Sequence, residues 1–262
     1  MKRKYLAALA VCTGLMAALL TGCGNKKEAE LQVFIAASLS GAMEEIASLY
    51  KEVQPNVTIV YNADSSGTLQ TQIEEGFACD IFFSAAEKQM NELTEGGFVK
   101  EGTEVKLLEN SVVLITPKES GTEVTGFEDV TKAANFALAG ESVPVGNYSR
   151  QIFEKLGILE DVMAMEINEC KNVSAVKEAV KEGSNEIGTV YYSDAYSVRE
   201  DVDILAFSDE TMLDTAIIYP VAQIKNAEAT REQELAAADF IAFLQTEEAK
   251  AVFEDYMFLI HE

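Results

Sequence analysis

Leu31-Gln-Val-Phe-Ile-Ala-Ala-Ser-Leu-Ser-Gly-Ala-Met-Glu-Glu-Ile46 begins as one kind of element and ends as another. The apolar run Val33 to Ala37 has the composition of a buried strand. From Leu39 onward Ala42, Met43, Ile46, Leu49 and Tyr50 recur at the spacing of one helical face. A buried strand that runs straight into an amphipathic helix is the building unit of an α/β fold. Ser38 stands at the junction, where its side-chain oxygen is expected to cap the helix and where unpaired backbone N–H groups gather at the positive helix end. The same geometry offers donors and dipole to a small anion, so the junction alone leaves cap and anion site both open.

The unit repeats along the chain. Val57 to Tyr61 is β-rich, follows Pro55, and ends in the turn-rich Asn62-Ala-Asp-Ser-Ser-Gly-Thr68; Leu69 and Ile73 then start a helical face that Gly76 stops. Asp80 to Ser84 reads as a short apolar strand, and Glu87 to Leu93 as a helix closed by Gly96-Gly97. This βαβαβα order implies a parallel sheet with right-handed crossovers. Ser111 to Thr116 is the next strong strand, ended by Pro117. Beyond it come a short helix at Phe127 to Val130, a strand at Phe136 to Ala139, and a helix through Ile152, Phe153 and Leu156 to Gly157. A small strand at Met165 to Ile167, a helix on Val173, Val176, Ala179 and Val180 ended by Gly183, and a strand from Glu186 to Tyr192 complete a second α/β unit. Ser111 to Thr116 and Ile217 to Val221 are the natural crossings between the units, and the helical tail Gln233 to Ile260 is expected to return to the first. The expected division is 31–111 plus 222–262 for lobe 1 and 112–221 for lobe 2, with a cleft between the carboxyl ends of their strands.

Ahead of this fold, Lys2, Arg3 and Lys4 precede an apolar segment from Tyr5 to Leu20, too short for a membrane span and flanked like a secretory signal. Leu20-Thr21-Gly22-Cys23 resembles a bacterial lipoprotein box, so residues 1–22 are read as a signal peptide, Cys23 as the lipidated first residue, and 23–30 as a polar tether. About 230 residues remain, enough for one large or two ordinary domains with real cores. Removing Lys2, Arg3 and Lys4 takes the formal charge from −24 to −27. So acidic a surface excludes nucleic acid as a partner, since phosphates need Lys and Arg clusters that the chain lacks. It also requires that any anion be held by short-range oriented donors. Cys79 and Cys170 have no motif spacing, and a disulfide or two buried thiols are both compatible with export. No metal is expected: His261 is the only histidine, and no Cys-x-x-Cys occurs.

Four junctions stand out: Ala37-Ser38, Ser65-Ser66-Gly67-Thr68, Pro144-Val145-Gly146-Asn147 and Asn172-Val173. None carries Lys or Arg in the turn. Facing one cleft, they would converge N–H groups and hydroxyls on a point without a balancing cation, which suits a fully ionised oxyanion that accepts hydrogen bonds and offers no proton. Charge-assisted bonds contribute roughly 1.5–3 kcal/mol each, so several support micromolar to nanomolar binding, about −8 to −12 kcal/mol.

The runs Ala36 to Ile46, Ser65 to Ile73, Cys79 to Ala85 (C-D-I-F-F-S-A), Val143 to Tyr148 (V-P-V-G-N-Y) and Ile187 to Ala195 (I-G-T-V-Y-Y-S-D-A) resemble, in order, those of the periplasmic molybdate-binding proteins of molybdate ABC transporters. The resemblance covers essentially the whole mature chain. It implies a two-lobe type II periplasmic-binding fold that closes over a tetrahedral dianion. It also implies ligand contacts at Ser38 and Ser66 through hydroxyl and backbone N–H, at Val145 and Val173 through backbone N–H, and at Tyr191 through its phenol. The expected protein is a monomeric, non-enzymatic, lipid-anchored binding protein on the outer face of the cell membrane. It would need no cofactor beyond its ligand, molybdate or tungstate, and would pass that ligand to a membrane permease. Two departures from the family pattern are Val145, often a smaller Ala, and Asp64, whose carboxylate must point away from a dianion or weaken its binding. A phosphate- or sulfate-binding protein is the alternative of the same class. An exported serine hydrolase is the alternative of another, and it lacks a G-x-S-x-G elbow and a non-terminal histidine.

Overall fold

A computed structural model describes residues 28–209 and 211–262. The expected signal peptide 1–22, the lipidation site Cys23 and the first part of the tether lie outside the described residues. The opening stretch folds as read: β1 (Ala29–Ala36) leads into α1 (Ser40–Val53), and Leu31, Val33, Ile46 and Tyr50 are buried. The strand starts four residues before the apolar run Val33 to Ala37 and two before the expected start of lobe 1. Ala29 and Glu30 pair with Val57 and Thr58, so the tether ends before them.

The chain continues as β2 (Val57–Asp64), α2 (Ser66–Glu74), β3 (Ile81–Phe83), α3 (Glu87–Glu95) and β4 (Val105–Asn110). It crosses to β5 (Val112–Pro117), β6 (Phe136–Ala139), α4 (Pro144–Lys155), α5 (Leu159–Met163), β7 (Ile167–Cys170), α6 (Val173–Lys181), β8 (Ile187–Tyr191), α7 (Tyr192–Ser197) and β9 (Val202–Phe207). It then returns through β10 (Ile217–Gln223), α8 (Arg231–Phe243), α9 (Glu247–Asp255) and β11 (Leu259–Ile260). Gly97 and Gly183, expected to close helices, adopt φ of 79° and 71°, a region that side chains disfavour.

Two sheets result, a six-stranded one in the order β11-β4-β10-β3-β1-β2 and a five-stranded one in the order β7-β6-β8-β5-β9. The two-lobe α/β architecture is therefore present, with two crossings at Ser111 and between β9 and β10. The first sheet is parallel only across β2, β1 and β3; β10, β4 and β11 join it antiparallel, because the chain re-enters it from the other lobe. All of β10 pairs within this sheet, so residues 217–221 belong with the first lobe's strands and not with 112–221. β4 and β9 were not visible in the sequence pattern, and the small strand expected at 165–167 lies at 167–170.

The tail returns to the first lobe as expected. Tyr50 packs on Phe240 at 4.8 Å and donates its hydroxyl to Asp239 at 2.8 Å, while Gln233 Nε2 donates to Glu30 O at 2.8 Å. In the second lobe Phe136 meets Phe153 edge to face at 5.8 Å. Cys79 and Cys170 are both buried free thiols, one in each lobe.

Candidate functional site

All five expected contact residues line one small cavity between the lobes. Ser38 and Ser66 come from the first lobe; Val145, Val173 and Tyr191 come from the second. No Lys or Arg lines it. The remaining wall is formed by Ala36, Ala37, Asp64, Ser65, Ala85, Val143 and Pro144.

Ser38 does not cap a helix. The chain first makes a tight 3-10 turn over Ala37–Leu39, capped by Ala36 without any side-chain bond, and α1 begins only at Ser40. This delay swings the Ser38 hydroxyl off the helix axis onto Tyr219, 3.1 Å away. The turn also leaves the N–H groups of its first residues without an acceptor inside it. At the second junction the cap is Ser65, whose Oγ accepts from Thr68 N at 3.1 Å. Ser66 is thereby the first helical residue, fully buried, and its Oγ accepts the Ala85 N–H at 2.9 Å. A hydroxyl that already accepts from the backbone has its proton left to donate.

In the second lobe α4 starts at Pro144, which has no N–H, so Val145 presents the first one. The close seating of this turn depends on Gly146: a Cβ there would stand 2.3 Å from the carbonyl oxygens of Ala139 and Gly140. Arg150 clamps the same turn, donating to Ala139 O at 2.7 Å and Gly146 O at 2.8 Å. Asn172 caps α6 by accepting from Ala175 N at 3.0 Å, which leaves the Val173 N–H exposed to the cavity end of the helix.

Tyr191 is buried at the end of β8, with its hydroxyl 3.5 Å from Ala85 O. Burial, with the neighbouring Tyr219, pushes its phenol far above the ordinary value, so it remains a neutral donor. Tyr219 meets it edge to face at 5.5 Å and is held protonated by burial in the same way. Behind them Asp194 is buried 3.8 Å from Lys177, and burial pushes its carboxyl up to about 6.

Asp64 lines the cavity and ties the two lobes together. Its Oδ1 accepts from Ser65 N at 2.8 Å and from Asn172 Nδ2 at 2.9 Å, so one carboxylate oxygen is taken by donors of both lobes. The lobes are thus closed on each other. Gly67 marks a close approach, since a Cβ there would lie 2.3 Å from Ser142 O of the opposite lobe. Sequence reasoning missed Tyr219 and Asn110. The one available signal was a tyrosine in the otherwise apolar Ile217 to Val221, whose buried hydroxyl needs a partner.

Comparison with known proteins agrees with this architecture. The model of the bacterial extracellular solute-binding protein family matches residues 31–259. The chain is 34% identical over 268 residues to YvgL of Bacillus subtilis, named as an ABC transporter substrate-binding lipoprotein, covering 98% of this chain and 99% of that one. It is 28% identical over 253 residues to the molybdate-binding protein ModA of Haemophilus influenzae, covering 92% and 95%. Among solved structures, a substrate-binding domain named for a molybdenum ABC transporter of Clostridium difficile matches with a TM-score of 0.66 at 34% identity, covering 90% of this chain and all of that one.

Proposed function

Because this chain belongs to the bacterial extracellular solute-binding protein family, we propose that its interlobe cavity captures molybdate and delivers it to the membrane permease of an ABC transporter. The observation that carries this reading is the lining: the hydroxyl-bearing Ser38, Ser66 and Tyr191 and the helix-start residues Val145 and Val173 share one cavity that no Lys or Arg lines. Such a site suits an anion that is fully ionised at neutral pH and only accepts. The names of the relatives from Haemophilus influenzae and Clostridium difficile support molybdate within that class. Tungstate, nearly equal in size and charge, belongs to the same reading.

The protein acts by binding without turnover, as a monomer tethered through lipidated Cys23 on the outer face of the cell membrane. The relative named as a lipoprotein supports the tether. A serine hydrolase gains no support from the cavity serines, which meet Tyr219 and Ala85 N, while His261 pairs with Glu109 at 2.6 Å.

Calorimetric titration with molybdate, tungstate, sulfate and phosphate tests the proposal. Molybdate and tungstate are expected to bind in the micromolar to nanomolar range, about −8 to −12 kcal/mol. Binding of phosphate alone would overturn it.

Asp64→Asn separates the charge of this residue from its interlobe bond. The amide oxygen can keep both donors, Ser65 N and Asn172 Nδ2. Only the negative charge beside the dianion is lost, so affinity for molybdate rises several-fold, and the gain shrinks as salt is added. Asp64→Ala removes the bond as well and lowers affinity. Isothermal titration of both variants at two ionic strengths checks the opposite signs.

A further inference from the structure

We infer that Asn110 and Tyr219 are positioning residues that make Ser38 an obligatory proton donor toward the cavity, and so set the preference for fully ionised over protonated oxyanions. This rests on the oxyanion-binding reading above. Neither residue lines the cavity.

Asn110 is a group of fixed polarity. Asn110, the last residue of β4, has its Oδ1 occupied by the Ser111 N–H at 2.9 Å. That contact sets the orientation of the amide, leaving Nδ2 to face the other way with two protons and no lone pair to offer. One proton goes to Ser193 Oγ of the second lobe at 2.9 Å and the other to Tyr219 Oη at 3.4 Å. Tyr219 Oη accepts from Asn110, and the proposed order directs its single proton to Ser38 Oγ, 3.1 Å away. Ser38 in turn accepts from Tyr219, and its own proton is left for the cavity. Burial keeps Tyr219 neutral, so the phenol retains the proton that this order requires.

Reversal of the order would have a chemical consequence. If Tyr219 donated backward, Ser38 would donate to Tyr219 and turn a lone pair to the cavity. A lone pair there repels molybdate or sulfate but accepts the O–H of hydrogen phosphate. Asn110 thus enforces selectivity at a distance, through one intervening hydroxyl.

The test is a double-mutant cycle on the purified protein, read by calorimetry with molybdate and with phosphate at fixed pH and salt. Asn110→Asp keeps the shape and the Ser111 N–H bond but presents an acceptor to Tyr219, which reverses the order. Alone it is expected to weaken molybdate binding at least about tenfold and to narrow the molybdate-to-phosphate ratio. In the Tyr219→Phe background the link is gone, so the same substitution should cost less than about threefold and leave the ratio unchanged. The added charge is present in both backgrounds and cancels in the cycle. Equal losses in the two backgrounds would overturn the inference and leave Asn110 as a turn residue at the crossing. Circular dichroism and melting temperature identify any variant that fails to fold, and Asn110→Ser, which can also donate to Tyr219, then replaces Asn110→Asp with retention of the ratio as the expected result and its loss as the contrary one. If the wild type binds sulfate but not molybdate, the ligand assignment fails and the cycle is decided on sulfate; binding of no oxyanion overturns both.

Discussion

Gly67→Ala is expected to weaken oxyanion binding by at least about 100-fold while leaving the ligand-free fold intact. Gly67 sits in the first turn of α2, where alanine is a better helix former than glycine, so within its own lobe the substitution is neutral or mildly stabilising. The penalty arises only on closure. The added Cβ would stand 2.3 Å from Ser142 O of the other lobe, a backbone atom that cannot rotate away. An ordinary contact needs about 3.5 Å, so the lobes must part by about 1 Å. Hydrogen bonds do not survive such stretching. The Asn172 to Asp64 bond, at 2.9 Å, is broken, and the second lobe's N–H groups at Val145 and Val173 no longer reach an anion held by the first. Loss of two charge-assisted bonds of roughly 1.5–3 kcal/mol each gives a loss of about 3–6 kcal/mol, or roughly 10²–10⁴ in affinity. Calorimetry gives the affinity and a thermal melt without ligand gives the fold. An affinity within about threefold of wild type would mean that the closed arrangement is not the binding state.

The two cavity serines should respond differently to removal. Ser38→Ala deletes one donor from a half-buried position and leaves Tyr219 with its bond to Asn110, so affinity falls about 10- to 100-fold with little change in melting temperature. Ser66→Ala removes a donor and also the acceptor of the buried Ala85 N–H. An orphaned buried N–H costs about 1–3 kcal/mol, so this variant loses both affinity and stability. The asymmetry is the informative part. Equal melting temperatures for the two variants would contradict the hydrogen bond to Ala85, and unchanged affinities would remove the serines from the site.

The α/β order, the second lobe and the four helix-start junctions were legible because each is written locally, whereas Tyr191 was singled out only by the family resemblance. A strand changes period into a helix within a few residues, and Ser, Pro or Asn marks where the N–H groups are left over. What was not legible is set by the path of the chain through space. Ser38 had the sequence of a cap; whether it caps depends on a 3-10 turn that only the packing of α1 against the sheet decides. Its actual partner Tyr219 is 181 residues away, and Asn110 is a further 109 residues from Tyr219. That one oxygen of Asp64 is taken by Asn172 was hidden because Asn172 lies on the other lobe. The antiparallel half of the first sheet was hidden for the same reason: β10 is recruited only after the chain has built the second lobe and come back.

Soaking crystals of the protein with molybdate and collecting anomalous diffraction at the molybdenum edge tests the central claim most directly. The account predicts one dominant molybdenum peak in the interlobe cavity, with its oxygens within about 3.2 Å of Ser38 Oγ, Ser66 Oγ, Tyr191 Oη and the N–H groups of Val145 and Val173. A peak elsewhere on the molecule, or an empty cavity at saturating molybdate with the lobes closed, would contradict it.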